Sequence, residues 1–294
     1  MDIFGIPSPA FFGQLLLGLI NGSFYAILSL GLAIIFGLLN IINFAHGAQY
    51  MVGAFVAWMG FTWLGINYWW ALILSPLVVG LAAVLIERTM LRYLYKLDHL
   101  YGLLLTFGLA LIAEGVFKNY FGVSGESYEV PELLQGGLNL GFMYLPIYRA
   151  WVVFAALTVC FGAWYAIERT SLGATLRAAT QRPDLLQALG INVPVLLTAT
   201  YAAGAALAAF AGVLAAPIMQ VNPVMGSNLI IVVFAVVVIG GMGSILGSIL
   251  TGLGLGVVEG LTKVFYPEGS AVVIFLVMVL VLLVKPAGLF GKQA

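Results

Sequence analysis

The chain has 294 residues, 63% hydrophobic and 7% charged, with a mean hydropathy of +1.13; soluble domains carry ~25% charged residues, so a water-soluble core is excluded. Period-two alternation of apolar and polar residues is missing, which excludes an outer-membrane barrel and leaves spanning helices. The 11 basic and 11 acidic residues cancel, so charge gives no case for nucleic acid, and the lone Cys160 rules out an intrachain disulfide.

Windows of about 19 residues place apolar segments at 12–38, 41–64, 69–90, 101–121, 148–167, 196–218 and 270–284, with a glycine-rich run at 228–266. That run exceeds the roughly 20 residues that cross a hydrocarbon core. The sequence IGGMGSILGSILTGLGLG in its middle predicts a broken helix or a hairpin of two shorter ones. The expected fold is all-α and integral to the membrane, one domain over 1–294, a polytopic bundle of about 8 transmembrane helices. The opening MDIFGIPSPAFFGQ lacks the basic start of a secretory signal, so the first apolar segment is expected to remain as a span.

Lys and Arg in short loops set orientation. The loop 87–99 carries Arg88, Arg92 and Lys96, the polar stretch 168–194 carries Arg169, Arg177 and Arg182, and the tail carries Lys285 and Lys292. All three go to the cytoplasmic side. The loop 122–147 holds Glu126, Glu129 and Glu132 without a basic residue, and Glu268 lies in 266–269, so these face out. The N-terminus is then external and the C-terminus cytoplasmic. Trp58, Trp63, Trp69 and Trp70 surround the expected outer turn at 65–68, as interfacial aromatics do.

No Asp, Glu, Lys or Arg occurs from 3 to 86 or from 185 to 258. Ionisable groups inside a membrane usually mark a substrate or proton route, and two carboxylates are expected there. Glu114 precedes Lys118 and Glu259 precedes Lys263 at the favourable i,i+4 spacing. They read either as self-neutralised anchors at the headgroup level or as an outer gate or docking charge. Asn40, Asn43, His46 and Gln49 recur every three residues and share a helical face, while Gly47 and Gly53 admit a close neighbour. This stripe is either helix-helix glue or the lining of a translocation path or its inner gate.

Gly240, Gly241 and Gly243, followed by Gly247, Gly252, Gly254 and Gly256, permit tight packing, or else a discontinuous helix whose freed backbone groups meet solute near the midplane. Two distant histidines without a Cys or carboxylate cluster give no metal site, and no acid/base pair or activated nucleophile suggests an enzyme. G-x-x-x-x-G-K-[ST] is absent, so the phosphate-cradling loop of ATP hydrolysis is not here. If the chain is a transporter, an ion gradient or another polypeptide must drive it.

The stretch 168–194 is a charged island in this apolar chain. Leu172, Leu176 and Ala179 repeat at helical spacing, residues 181–184 interrupt, and Pro183 starts a second short helix containing Leu185, Leu186 and Leu189. Proline fits the first turn, Asp184 complements the positive helix end, and Gly190 fits a C-terminal cap closed by Ile191. The product is a rigid knob of leucines flanked by Arg182 and Asp184.

The same residues, SLGATLRAATQRPDLLQALGINV, resemble the cytoplasmic loop of the permease subunits of branched-chain amino-acid ABC importers, with Arg177, Ala178, Asp184, Ala188 and the pair Gly190, Ile191 on the family's pattern. The resemblance extends in order through NGSFYAILSLGLAIIFGLLNIINFAHGAQYMVGAF, AALAAFAGVLAAP and VVVIGGMGSILGSILTGLGLGVVEG, and covers most of the chain. It implies a multi-pass permease subunit of the bacterial cytoplasmic membrane whose loop 168–194 couples to ATPase subunits through Arg177, Arg182, Pro183, Asp184, Ala188 and Gly190. The implied partners are two cytoplasmic ATPase subunits holding ATP and Mg²⁺, an external solute-binding protein, and a second related permease or a second copy of this chain. No cofactor is expected on this chain. The implied solute is a branched-chain or related neutral amino acid; similar permeases carry urea, amides or aromatic compounds. An ion-coupled secondary transporter is the alternative of another class, and it would need unpaired intramembrane charge.

Overall fold

The computed structural model describes residues 2–3, 6–39, 41–95 and 97–291; Asn40, Lys96 and Lys292 lie outside the described residues. In chain order come α1 Ser8–Leu39, α2 Ala45–Leu64, α3 Tyr68–Thr89, α4 His99–Phe121, α5 Ile147–Arg169, α6 Ser171–Gln181, α7 Pro183–Ala188, α8 Val193–Ala215, α9 Met225–Gly240, α10 Ile245–Phe265 and α11 Val273–Val284. Six of them (α1, α3, α4, α5, α8 and α10) are long and apolar enough to cross a membrane, and α9 and α11 are shorter apolar helices. The 20 residues of α2 match a span in length, with His46 and Gln49 diluting its hydropathy.

The glycine-rich run is a hairpin. Between α9 and α10, Gly241 has φ +97° and Gly243 φ +86°. Side chains disfavour that left-handed region, so the chain turns where its glycines cluster. The tail then closes the turn: Leu289 and Phe290 donate their backbone N–H groups to the carbonyls of Ile239 and Gly240 at 2.8 and 3.1 Å. Two carbonyls at the end of α9 are thereby satisfied, as a membrane helix requires.

Small residues decide which helices meet. On α1, Gly18 and Gly22 face Gly252, Gly256 and Gly260 on the antiparallel α10. A Cβ added at Gly256 would lie 2.3 Å from the Gly22 Cα, and one at Gly18 would lie 2.5 Å from the Gly256 carbonyl oxygen. Lipid tails remove the hydrophobic drive between helices, so this close van der Waals approach holds the pair together. A second seam joins α2 to α8, where Cβ atoms at Gly53 and Gly212 would sit 2.4 Å from the Ala209 Cα and 2.2 Å from the Tyr50 oxygen. Wrapped by α5, α8, α9 and α10, α1 is buried at every position from 22 to 35. Cys160 is buried on α5.

The links sort to two ends of the bundle. One end holds the link 41–44, the α3–α4 link, the α6–α7 insert and the α9–α10 turn, with Gly37 against Gly243. The opposite end holds the turn at Gly65 and the loop 122–146. There Gly137–Asn139 pairs antiparallel with Tyr144–Pro146, and Glu126 bridges Val221 in the α8–α9 link. An aromatic knot closes this end: the Tyr148 hydroxyl lies 2.9 Å from the Leu214 carbonyl and 3.0 Å from the Tyr68 hydroxyl, to which the Trp151 indole also donates.

Candidate coupling loop and translocation path

The insert is two short helices on a tight bend. Arg182 breaks the helical run with φ −139° and ψ 65°, and Pro183 opens α7 with Asp184 in its first turn. At the far end the Ile191 N–H donates to the Leu186 carbonyl at 3.0 Å and the Gly190 N–H to the Gln187 carbonyl at 2.9 Å, with Gly190 at φ +83°. These two bonds make a Schellman closure, and Ile191 packs on the cluster of Ala179, Leu186 and Val193 that supports it. Of α7 and its caps, Leu186 alone is buried; Arg182, Pro183, Asp184, Leu185, Ala188, Leu189 and Gly190 are exposed. The tip is therefore a stiff apolar knob, Leu185 at 60% and Leu189 at 76% exposure, beside one positive and one negative charge.

Arg177 stands apart from that tip. It reaches back to α5, donating to the Ile167 carbonyl at 2.6 Å and pairing with Glu168 at 3.7 Å. The bend that brings α6 this close depends on Gly173, where a Cβ would collide with the Ile167 carbonyl. In the sequence Gly173 is marked only by its position four residues before Arg177. Arg177 and Gly243 also meet across a cavity of about 650 Å³ lined in part by Gly37, Thr180, Ser244 and Phe290. Two groups singled out separately in the sequence, the insert and the glycine turn, thus share a wall. Gly240 and Gly241 are buried.

The polar stripe is sealed inside the bundle. Asn43, His46 and Gln49 are 1%, 0% and 7% exposed. The common helical face expected for them is corrected, because α2 starts at Ala45 and Asn43 lies in the non-helical link before it. Its amide nevertheless reaches the Gln49 oxygen at 3.3 Å. Gln49 donates to the Tyr201 hydroxyl on α8 at 3.1 Å, and the His46 Nε2 lies 3.0 Å from the Leu28 carbonyl on α1. The stripe ties three helices together through interhelical hydrogen bonds.

Both expected ion pairs form, Glu114 with Lys118 at 2.6 Å and Glu259 with Lys263 at 2.5 Å. The second is also bonded to α1, because the buried Tyr25 hydroxyl donates to Glu259 at 2.7 Å. The expectation of only two carboxylates within the spans is overturned by Glu87, read from sequence as a loop charge. It belongs to α3 and is 2% exposed.

Comparison with known proteins places the chain by its sequence. The family described as branched-chain amino acid transport system, permease component, matches residues 14–282. The high-affinity branched-chain amino acid transport system permease protein BraD of Pseudomonas aeruginosa is 34% identical, over 95% of this chain and 95% of that protein. LivH of Escherichia coli K12, a high-affinity permease of the same description, is 30% identical over 96% of each chain. A probable branched-chain amino acid transport permease protein LivH of Methanocaldococcus jannaschii is 27% identical over 93% of this chain and 90% of its own. No solved structure gives a significant match. With a family match over nearly its whole length, and with full-length relatives at this level of identity, the chain belongs to the permease component family of branched-chain amino acid transport systems.

Proposed function

We propose that the chain is the membrane-spanning subunit of a binding-protein-dependent ABC importer that moves branched-chain or related neutral amino acids inward. The observation that carries this reading is the capped insert: a stiff, exposed, amphipathic knob on a chain that lacks a phosphate-binding loop of its own. ATP and Mg²⁺ are then held by two cytoplasmic ATPase subunits, and Arg182, Pro183, Asp184, Ala188 and Gly190 form or shape the surface they grip. Such a partner can shift the equilibrium between outward- and inward-open states only by binding one state better. The knob's rigidity lets that preference be passed on instead of being absorbed by a soft loop.

The basic links at the insert end orient it to the cytoplasm, which puts the N-terminus outside and the acidic 122–147 loop outward in the bacterial cytoplasmic membrane. The external solute-binding protein docks on that loop. A second related permease, or a second copy of this chain, completes the pore. Cargo passes the gate formed where the insert and the glycine turn face each other across Arg177 and Gly243, and the Asn43, His46 and Gln49 bonds break and reform as α1, α2 and α8 shift.

Reconstituted vesicles test this reading. Uptake of labelled leucine is expected only when ATP, the binding protein, the ATPases and the permease pair are all present; uptake by this chain alone on a proton or sodium gradient overturns it. Asp184→Lys is expected to lower ATPase-subunit retention and uptake by about tenfold, equivalent to about 1.4 kcal/mol of lost contact.

A further inference from the structure

Glu87 sits at the insert end of α3, and its two oxygens bind two different elements. The Thr198 hydroxyl donates to Oε2 at 2.6 Å, and the Tyr95 hydroxyl donates to Oε1 at 2.8 Å. Tyr95 belongs to the link between α3 and α4; Thr198 belongs to the second turn of α8. Burial first, and then the neighbouring carboxylate, push the Tyr95 hydroxyl well above the ordinary tyrosine range, so it stays a donor. Bonds of this charge-assisted kind are short and strong.

A buried carboxylate is a poor device for stability, since an apolar side chain of similar size does as well or better. What it adds is a fixed geometry. Elsewhere α3 and α8 lie side by side on small residues, with a Cβ at Gly80 falling 3.6 Å from the Ala202 oxygen and 3.7 Å from the Ala206 Cβ. Ordinary van der Waals contact of that kind resists separation more than sliding. The Glu87 to Thr198 bond supplies a directional tie, and it does so next to where the insert ends: α7 runs to Ala188 and α8 starts at Val193 with Asn192 as its cap.

We propose that Glu87 is a positioning residue for energy coupling, a clamp that locks the insert-proximal turn of α8 to α3 and to the α3–α4 link. A push on the insert then moves these elements together instead of bending α8 at its root. The clamp rests on the reading of the insert as the ATPase contact. Thr198 has a local alternative, the Pro194 carbonyl at 3.0 Å, so removing Glu87 leaves no orphaned hydroxyl there.

The test uses the assembled complex of both permeases, both ATPases and the binding protein in proteoliposomes, with labelled leucine as probe and the reading taken as leucine imported per ATP hydrolysed. Thr198→Val keeps the shape and removes the donor; Glu87→Ala removes the acceptor; Glu87→Gln keeps one acceptor oxygen. Both Thr198→Val and Glu87→Ala are expected to lower the ratio about tenfold, the scale of one strong hydrogen bond, with ATP hydrolysis and assembly unchanged. The double variant should fall no lower than Glu87→Ala, and Glu87→Gln should recover most of the ratio. An active complex with a wild-type ratio in Thr198→Val sinks the clamp alone, as does Glu87→Ala that lowers only the amount of assembled complex. Failure of the unmodified complex to import leucine on ATP sinks the importer reading instead.

Discussion

Two helices of nearly equal hydropathy have opposite fates. The most apolar window of α1 has a mean hydropathy of 2.1 and is 83% buried, whereas that of α4 has 1.9 and is 11% buried. Both contain glycines. Those of α1 at positions 18, 22, 31 and 37 each lie so close to another helix, turn or side chain that a Cβ would come within 3.0 Å of it, while Gly108 and Gly115 of α4 have nothing within 4 Å. Hydropathy decides that a segment enters lipid; a partner that is itself small at the matching height decides which segments become core. An outward-facing glycine is only a missing side chain.

Substitutions at these glycines break or uphold the comparison. Gly256→Leu pushes a branched side chain into the Gly22 backbone and is expected to cost about 3 kcal/mol or more, read as a large loss of folded protein and of thermal stability in detergent. At the α1–α2–α8 junction, His46→Ala removes a fully buried ring and its bond to Leu28, with an expected cost of about 2 kcal/mol in the same assay. Tyr25→Phe deletes a single bond to Glu259 across the α1–α10 seam, and interhelical bonds of that kind average about 0.6 kcal/mol. Gly108→Leu on α4 should change stability by less than about 0.5 kcal/mol. A Gly108→Leu variant as damaged as Gly256→Leu would show that glycine content, and not partnering, sets burial.

What was legible in the chain follows from the same contrast. The helix positions could be read because bilayer thickness fixes how long an apolar run must be. The hairpin and α7 could be read because Gly241, Gly243, Pro183 and Gly190 act locally. Partner choice could not, since a glycine at 256 gives no sign that it needs one at 22. Glu87 escaped for a related reason. It stands beside Arg88 at the end of an apolar run and looks like the first residue of a polar loop. The hydroxyls that donate to it lie 8 and 111 residues further on. Asn43 was misplaced because a three-residue spacing matches a helix face even where the backbone has left the helix.

The burial of Cys160 has a practical side. It is the sole sulfhydryl of the sequence and is 0% exposed within the bundle, so water-borne maleimides find nothing to attack on the native fold. Leu189→Cys on the knob and Met242→Cys at the glycine turn, both exposed positions, would each supply an accessible labelling handle with the native Cys160 left in place. A spin pair at these two places would then serve as a ruler across the face where insert and turn meet.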